Sequence, residues 1–315
     1  MRRRHFLAAG GLAALPSLVR AGDSSSSGTA AAPGEERIDI HQHVNYAGRT
    51  EAALLRHQEA MGITMTILLP SGTPLLRSST HVGRSNGLAA RIFGTAAAAR
   101  TAAAHPDRFV FFANEIPDIP GARQRIAEWL DMGACGIGEQ KFNLPCDAEP
   151  MQDLYRLARD YGVPILLHFQ HGTYNLGFER FHTMLEKFPE VNFIAHAQTW
   201  WGHIDRDHQP ASLYPKSPVT PGGLSDRWLS DYPNLFGDLS AGSGLNSLTR
   251  DPANAAAFLH RHQDKLLLGT DCSDAVGTGD ACTGASTIAL LHHHLPAPAR
   301  TKILSSNARR IIPFH

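Results

Sequence analysis

His41 and His43 stand one residue apart in Ile38-Asp39-Ile40-His41-Gln42-His43. In a strand, where successive side chains alternate, both imidazoles project from one side with Cα atoms roughly 6.6 Å apart. Two imidazoles so placed can close on one metal ion. The pair alone is weak, because a chain with 18 histidines produces such spacings by chance. Further donors recur downstream, each behind an apolar run: Glu139 with Lys141, His168 with His171 just beyond, His196, Asp238 and Asp271.

The runs themselves read as strands over Arg37–His41, Met65–Leu69, Phe109–Asn114, Gly136–Phe142, Pro164–Phe169, Asn192–Ala197, Leu235–Ser240 and Leu266–Thr270. Helical segments fall between them at Thr50–Met61, Gly87–Ala104, Ala122–Met132, Pro150–Tyr161, Phe178–Phe188, Ala253–His262 and Thr283–Leu295, with a closing helix around Thr301–Ile312. Gly62, Gly133 and Gly162 sit where helix C-caps belong. Eight strand–helix units at this spacing predict an α/β fold, a (β/α)8 TIM barrel. An open doubly wound sheet would carry a Gly-rich phosphate loop after its first strand, where this chain has His-Gln-His. Barrels place working residues at the C-terminal ends of their strands, so the donors above converge. Histidines and carboxylates meeting there predict a divalent metal site, zinc foremost.

Lys plus Arg and Asp plus Glu each number 29, so the formal charge is zero and nothing provides the basic surface that nucleic acid or an anionic membrane requires. A small-molecule substrate is expected. Residues 1–21 read as a signal peptide: Arg3-Arg4-His5-Phe6-Leu7 fits the twin-arginine form and precedes a short apolar run, too short and too rich in Gly and Ala to span a bilayer. The expected partner is therefore the twin-arginine export machinery, the expected location periplasmic, and no membrane anchor is expected in the mature form. Residues 22–36, with four consecutive serines, read as a flexible linker before the barrel of residues 37–315. Cys272 and Cys282 flank a Gly-containing loop and could close a short disulfide, while Cys135 reads as a small buried hydrophobe and Cys146 as free or near Cys272.

Taken together, Ile38-Asp39-Ile40-His41-Gln42-His43, Gly136-Ile137-Gly138-Glu139, Pro164-Ile165-Leu166-Leu167-His168, Phe193-Ile194-Ala195-His196, Leu268-Gly269-Thr270-Asp271 and the terminal Lys302-Ile303-Leu304-Ser305-Ser306-Asn307-Ala308-Arg309 resemble the amidohydrolase superfamily, in the branch with amidohydrolase-2 and aminocarboxymuconate-semialdehyde decarboxylase-like proteins. The resemblance covers residues 37–312 and implies one of two sites. In the first, His41, His43, His168 and Asp271 hold one ion and His196 faces the substrate. In the second, Glu139 bridges two ions, with His41, His43 and Asp271 on one and His168 and His196 on the other. It also implies barrels that often pair, making a homodimer an expectation.

The chemistry expected of such an ion is that water bound in its open position reaches a pKa of about 7, and the hydroxide attacks a carbonyl carbon. Asp271 then serves as general base and His196 polarises the carbonyl or holds the oxyanion. Lys141 is expected to hold a substrate carboxylate or pair with Glu139. Cys272 should point away from Asp271 along the strand. The aperiodic segment Gln198–Gly223 carries Trp200 and Trp201, which could wall a flat substrate; Asp238 could lie near the substrate, and His81 and Arg84 could reach the site. His171, His203 and His208 read as loop residues, and His292-His293-His294 as a solvated last helical turn. The leading expectation is an exported metal-dependent hydrolase of a carboxylic ester, lactone or amide. A non-oxidative decarboxylase of an aromatic or dienoic acid comes next, and a barrel that binds without turnover last.

Overall fold

Eight parallel strands emerge from those apolar runs in the computed structural model, which describes residues 34–80, 87 and 90–314. The signal-peptide reading of residues 1–21, most of the linker, and His81 and Arg84 lie outside the described residues. The strands are β1 (Ile38–Gln42), β2 (Met65–Leu68), β3 (Phe109–Phe111), β4 (Ile137–Gln140), β5 (Ile165–His168), β6 (Phe193–His196), β7 (Leu235–Asp238) and β8 (Leu266–Leu267). They pair in chain order as β1-β2-β3 and β4-β5-β6-β7-β8. A parallel bridge from Ala113 to Ile137 links the two sheets. At the other seam, Ile40 N donates to Leu268 O at 2.9 Å and Asp271 N donates to His41 O at 2.8 Å. These contacts complete the ring of the TIM barrel.

Two apolar layers hold the ring. The inner one stacks Ile38, Ile40, Ile67, Leu69, Phe112, Cys135, Leu166, Ile194, Phe236 and Leu267 on Ala308 and Ile311 of the last helix, which plugs the floor, and on Ile312 just past its end. The outer layer, including Phe109, Leu167 and Phe193, packs the strands onto the helices. The helices occupy Glu51–Ala60, Thr95–Ala104, Ala122–Asp131, Glu149–Tyr161, His182–Lys187, Gln198–Gly202, Leu224–Asp231, Ala241–Thr249, Pro252–Arg261 and Thr283–His294. The closing helix runs from Ala297 to Ile311 through a π turn at Lys302–Ser306. No described helix is long and apolar enough to cross a membrane.

Four expectations need correction. The helix read over Gly87–Ala104 begins only at Thr95, because Gly94 forms a bridge with Ser71 and Ser71 N binds Phe93 O at 3.0 Å. The helix read over Phe178–Phe188 divides into a 3-10 turn, Phe178–Arg180, and a shorter helix, His182–Lys187. Glu35 and Glu36, read as linker, are fastened to the barrel: Glu35 binds Arg37 at 2.7 Å and Arg300 at 3.0 Å, and Glu36 binds Arg309 at 2.6 Å. Cys272 and Cys282 are free thiols with sulfurs 3.4 Å apart, not a disulfide. Cys135 and Cys146 are buried and also free, as expected of the former.

Candidate metal centre

The first strand delivers its histidines by an irregularity. Pairing between β1 and β2 shifts between Asp39 and Gln42, and an extra residue at such a bulge re-aims the side chains beyond it. Ile40 therefore stays in the inner core while His41 and His43 also turn inward. Asp39 is sent outward, where it accepts from Gln58 Nε2 at 2.8 Å and Thr270 Oγ1 at 2.6 Å. Strand β4 has a similar shift between Ile137 and Gln140, which brings Glu139 to the inner face. His168 and His196 need no such device, since they are register partners on β5 and β6 and share the faces of Leu166 and Ile194.

Six side chains converge. His41 Nε2 lies 3.8 Å from Glu139 Oε2 and 3.9 Å from Asp271 Oδ1. His43 Nε2 lies 3.9 Å from the same glutamate oxygen and 3.2 Å from the same aspartate oxygen. The other glutamate oxygen, Oε1, faces His168 Nδ1 at 2.5 Å and His196 Nε2 at 3.7 Å. An ion with bonds of about 2.0–2.2 Å spaces its ligands by roughly 3–4 Å, which most of these separations match.

The fit is tested by the atoms that find no partner within the protein. His41 Nε2, His196 Nε2 and Asp271 Oδ1 are buried without a hydrogen bond, a costly condition unless something else satisfies them. Each histidine is oriented from behind by its other nitrogen, as metal-binding imidazoles are. His41 Nδ1 donates to Asp238 Oδ2 at 2.6 Å, and His43 Nδ1 donates to Leu69 O at 2.7 Å. His196 Nδ1 donates to Ser240 Oγ at 2.9 Å, and that hydroxyl donates to Asp238 Oδ2 at 2.8 Å. The bare nitrogens thus all face the centre, and the donor set suits a divalent cation.

Electrostatics point the same way. Burial and then the neighbouring His41 bring His196 down to about 3, and burial followed by Lys141 also lowers His168. Burial acts likewise on His41, but Asp271 and Asp238 outweigh it and raise the imidazole well above its ordinary value. Burial would raise both carboxyls; instead Lys141 and His168 hold Glu139 well below the usual range, and His41 and His43 do the same for Asp271. The carboxylates demand positive charge, and a proton on His41 stands in for an ion.

One side of the cluster is polar and only half-buried. Lys141 follows Glu139 on the same face, with its Nζ 5.6 Å from the Tyr174 ring. Burial lowers its pKa, but Glu139 and Asp271 outweigh that and keep it charged. Tyr46, which the sequence did not single out, stacks edge-on to His43 at 5.1 Å, and the nearby Asp271 carboxylate raises the pKa of its hydroxyl. Ser240 was legible only as a neighbour of Asp238; its role behind two histidines was not.

Two expectations about substrate contacts are corrected. Trp200 and Trp201 are buried in the outer layer, on a helix spanning Gln198–Gly202. Trp200 meets Phe178 at 6.2 Å; Trp201 meets Phe258 at 6.2 Å and donates Nε1–H to Asp238 O at 3.0 Å. Apolar bulk makes this layer their stable place, and neither walls the centre. Asp238 is fully buried beneath His41, positioning it instead of facing substrate.

Comparison with known proteins agrees with the fold. An uncharacterised TIM-barrel protein from Bordetella bronchiseptica superposes with TM-score 0.60 at 16% identity, covering 88% of this chain and 98% of the other. A 2,6-dihydroxybenzoate decarboxylase from Rhizobium gives 0.54 at 16% identity over 88% and 98%. A probable 2-pyrone-4,6-dicarboxylic acid hydrolase from Acinetobacter baumannii gives 0.54 at 14% identity over 87% and 98%. Curated protein sequences yield no match. The amidohydrolase family model matches residues 38–314, nearly the whole described barrel, and the chain belongs to the amidohydrolase-2 family.

Proposed function

We propose that the barrel mouth is the active site of a metal-dependent hydrolase whose substrate is a lactone, ester or amide carrying a carboxylate. The observation that carries this reading is the placing of a half-buried cation, Lys141, near Asp271, whose Oδ1 has no donor of its own. A divalent ion, zinc foremost, held by His41, His43, Glu139, His168, His196 and Asp271, would supply Lewis acidity there and bring a water to a pKa of about 7. Asp271 takes the proton of the attacking water and returns it to the leaving oxygen or nitrogen as the carbonyl bond breaks. Tyr46 packs edge-on against His43 beside that carboxylate. Lys141 binds the substrate carboxylate and fixes which carbonyl meets the water.

His196 serves as a ligand in this proposal. Its N–H is committed to Ser240, so Nε2 offers a lone pair and cannot donate to an oxyanion. Glu139, with one oxygen toward His41 and His43 and the other toward His168 and His196, favours the bridged pair of ions over the single one. Glu139→Gln should then lower the bound metal by at least one ion per chain, and an unchanged count rejects the bridge.

Lys141 equally favours a second reading, decarboxylation, in which the held carboxylate leaves as carbon dioxide and a proton replaces it on carbon. The Rhizobium decarboxylase, similar in fold, lends that support. Metal-loaded protein offered carboxylated lactones, esters, amides and aromatic acids separates the two. Acid release without carbon dioxide supports hydrolysis, carbon dioxide release supports decarboxylation, and neither with any member of the panel rejects both. Export through the twin-arginine route belongs to the same proposal, resting on Arg3-Arg4-His5-Phe6-Leu7. Periplasmic delivery unchanged by Arg3→Lys with Arg4→Lys speaks against it. Pairing of two copies is proposed with it, and a monomer by light scattering refutes that.

A further inference from the structure

We propose that His57, Cys272, Asp274 and Cys282 form a separate metal centre, a closed four-ligand site for a zinc-type ion on the outer side of the β8 end. Each contributes a ligand atom within 4.8 Å of the others. Cys272 Sγ and Cys282 Sγ are 3.4 Å apart, Cys282 Sγ and His57 Nε2 3.7 Å, and His57 Nε2 and Asp274 Oδ2 3.0 Å. A tetrahedral ion with bonds of about 2.3 Å to sulfur and 2.0–2.1 Å to nitrogen or oxygen spaces such pairs at roughly 3.8, 3.6 and 3.3 Å. A disulfide needs sulfurs at about 2.05 Å. The separations follow the first pattern.

The surroundings set every donor to face the same point. Gln58 gives its amide hydrogens to Asp39 and Thr66 at 2.8 and 2.7 Å, which leaves its oxygen to accept from His57 Nδ1 at 3.1 Å. His57 Nε2 then faces a carboxylate oxygen and a sulfur, donating to Asp274 Oδ2 while no ion is bound, and a cation can take the place of that proton. Asp274 has its Oδ1 held by the N–H groups of Val276 and Gly277 at 2.9 and 2.8 Å, freeing Oδ2. Cys272 Sγ accepts from Gly284 N at 3.1 Å, and Cys282 Sγ accepts from Ala285 N at 3.4 Å, at the N-terminus of the helix Thr283–His294. That end of a helix favours thiolates.

Charge also closes. Two thiolates, a carboxylate and a divalent ion leave one negative charge, which the buried Arg49 guanidinium, bonded to Asp274 O at 2.8 Å, offsets. Binding releases the protons still held by the sulfurs and by His57 Nε2 and oxidises nothing. With four protein ligands and no open position, the ion fastens the loop of residues 272–282 to the helix Glu51–Ala60 and so steadies Asp271, one residue upstream.

Cobalt(II) is the probe, added to reduced full-length protein, because sulfur ligands give a near-ultraviolet charge-transfer band that histidine and carboxylate ligands do not. A sulfur–cobalt band saturating at one equivalent per chain, displaced by zinc and kept in His43→Ala, is expected. Cys282→Ser should lose the band and one ion per chain; if that variant does not fold, the wild-type band and its zinc displacement decide. Reduced wild-type protein that binds cobalt without the band overturns the proposal. A Cys272–Cys282 disulfide whose reduction restores no sulfur-ligated cobalt overturns it equally.

Discussion

Asp271 and Cys272 are consecutive, yet one faces the barrel mouth and the other the helix layer. On the inner side, six histidines and carboxylates gather beside a half-open polar edge made by Lys141, Tyr46 and Tyr174. On the outer side, two thiols, His57 and Asp274 are enclosed among Met61, Arg49 and the helix Thr283–His294. The difference teaches how two consecutive residues just past a strand end, with Asp271 in a left-handed backbone conformation, divide labour. A site with an open edge can admit substrate, whereas a closed site can only hold the chain together. Changes on the inner side should therefore cost turnover and changes on the outer side should cost stability.

The largest expected effect is on the inner side. Asp271→Asn should lower kcat by about 10²–10⁴-fold, the range for removing an acid–base group, with little change in thermal stability. Near-normal turnover breaks the assignment. Next comes the outer layer: Trp200→Ala should destabilise the protein by about 3–5 kcal/mol in denaturant unfolding, since it empties a fully buried aromatic position. Turnover per folded molecule should hold, and a selective loss of substrate affinity would restore Trp200 to the substrate wall.

Smaller effects test how the inner side is supported. Asp238→Asn removes the carboxylate behind His41 and should weaken metal affinity by about 10–100-fold, read by competition with a chelator. Unaltered affinity would make Asp238 a mere packing residue. The smallest signal is a proton. His41, raised above its ordinary value, carries a proton at neutral pH without an ion and must lose it to bind one. Metal uptake by Cys282→Ser protein near pH 7 should then release about one proton per ion at this position, measurable by calorimetry in buffers of different ionisation enthalpy. Affinity should fall as pH falls, because protons compete for the same nitrogen; pH-independent uptake contradicts the raised imidazole.

How much of this was legible in the sequence follows from how each feature is encoded. His41, His43, Glu139, His168, His196 and Asp271 share one local signature, a donor at the end of an apolar run, so strand reading found them all. The barrel followed from the same runs, because each strand was followed by a helix. The bulge in β1 was not legible, since nothing in Ile38-Asp39-Ile40-His41 distinguishes an extra residue from simple alternation. Trp200 and Trp201 misled because aromatic residues in an aperiodic stretch suit a lid or a core equally well. Asp238 has the same chemical type as a substrate contact, and only its bond to His41 reveals its work. The outer cluster needed the fold itself, for His57 and Cys282 are 225 residues apart.

The most direct test of the central claim is metal content of wild-type protein and of the His41→Ala, His43→Ala double variant, after loading and exhaustive dialysis. Wild-type protein should retain divalent ions at the barrel mouth. The double variant should lose those ions together with turnover while keeping the sulfur–cobalt band of the outer site. A wild-type chain that retains no ion, or a double variant that retains the same number as wild type, contradicts the account.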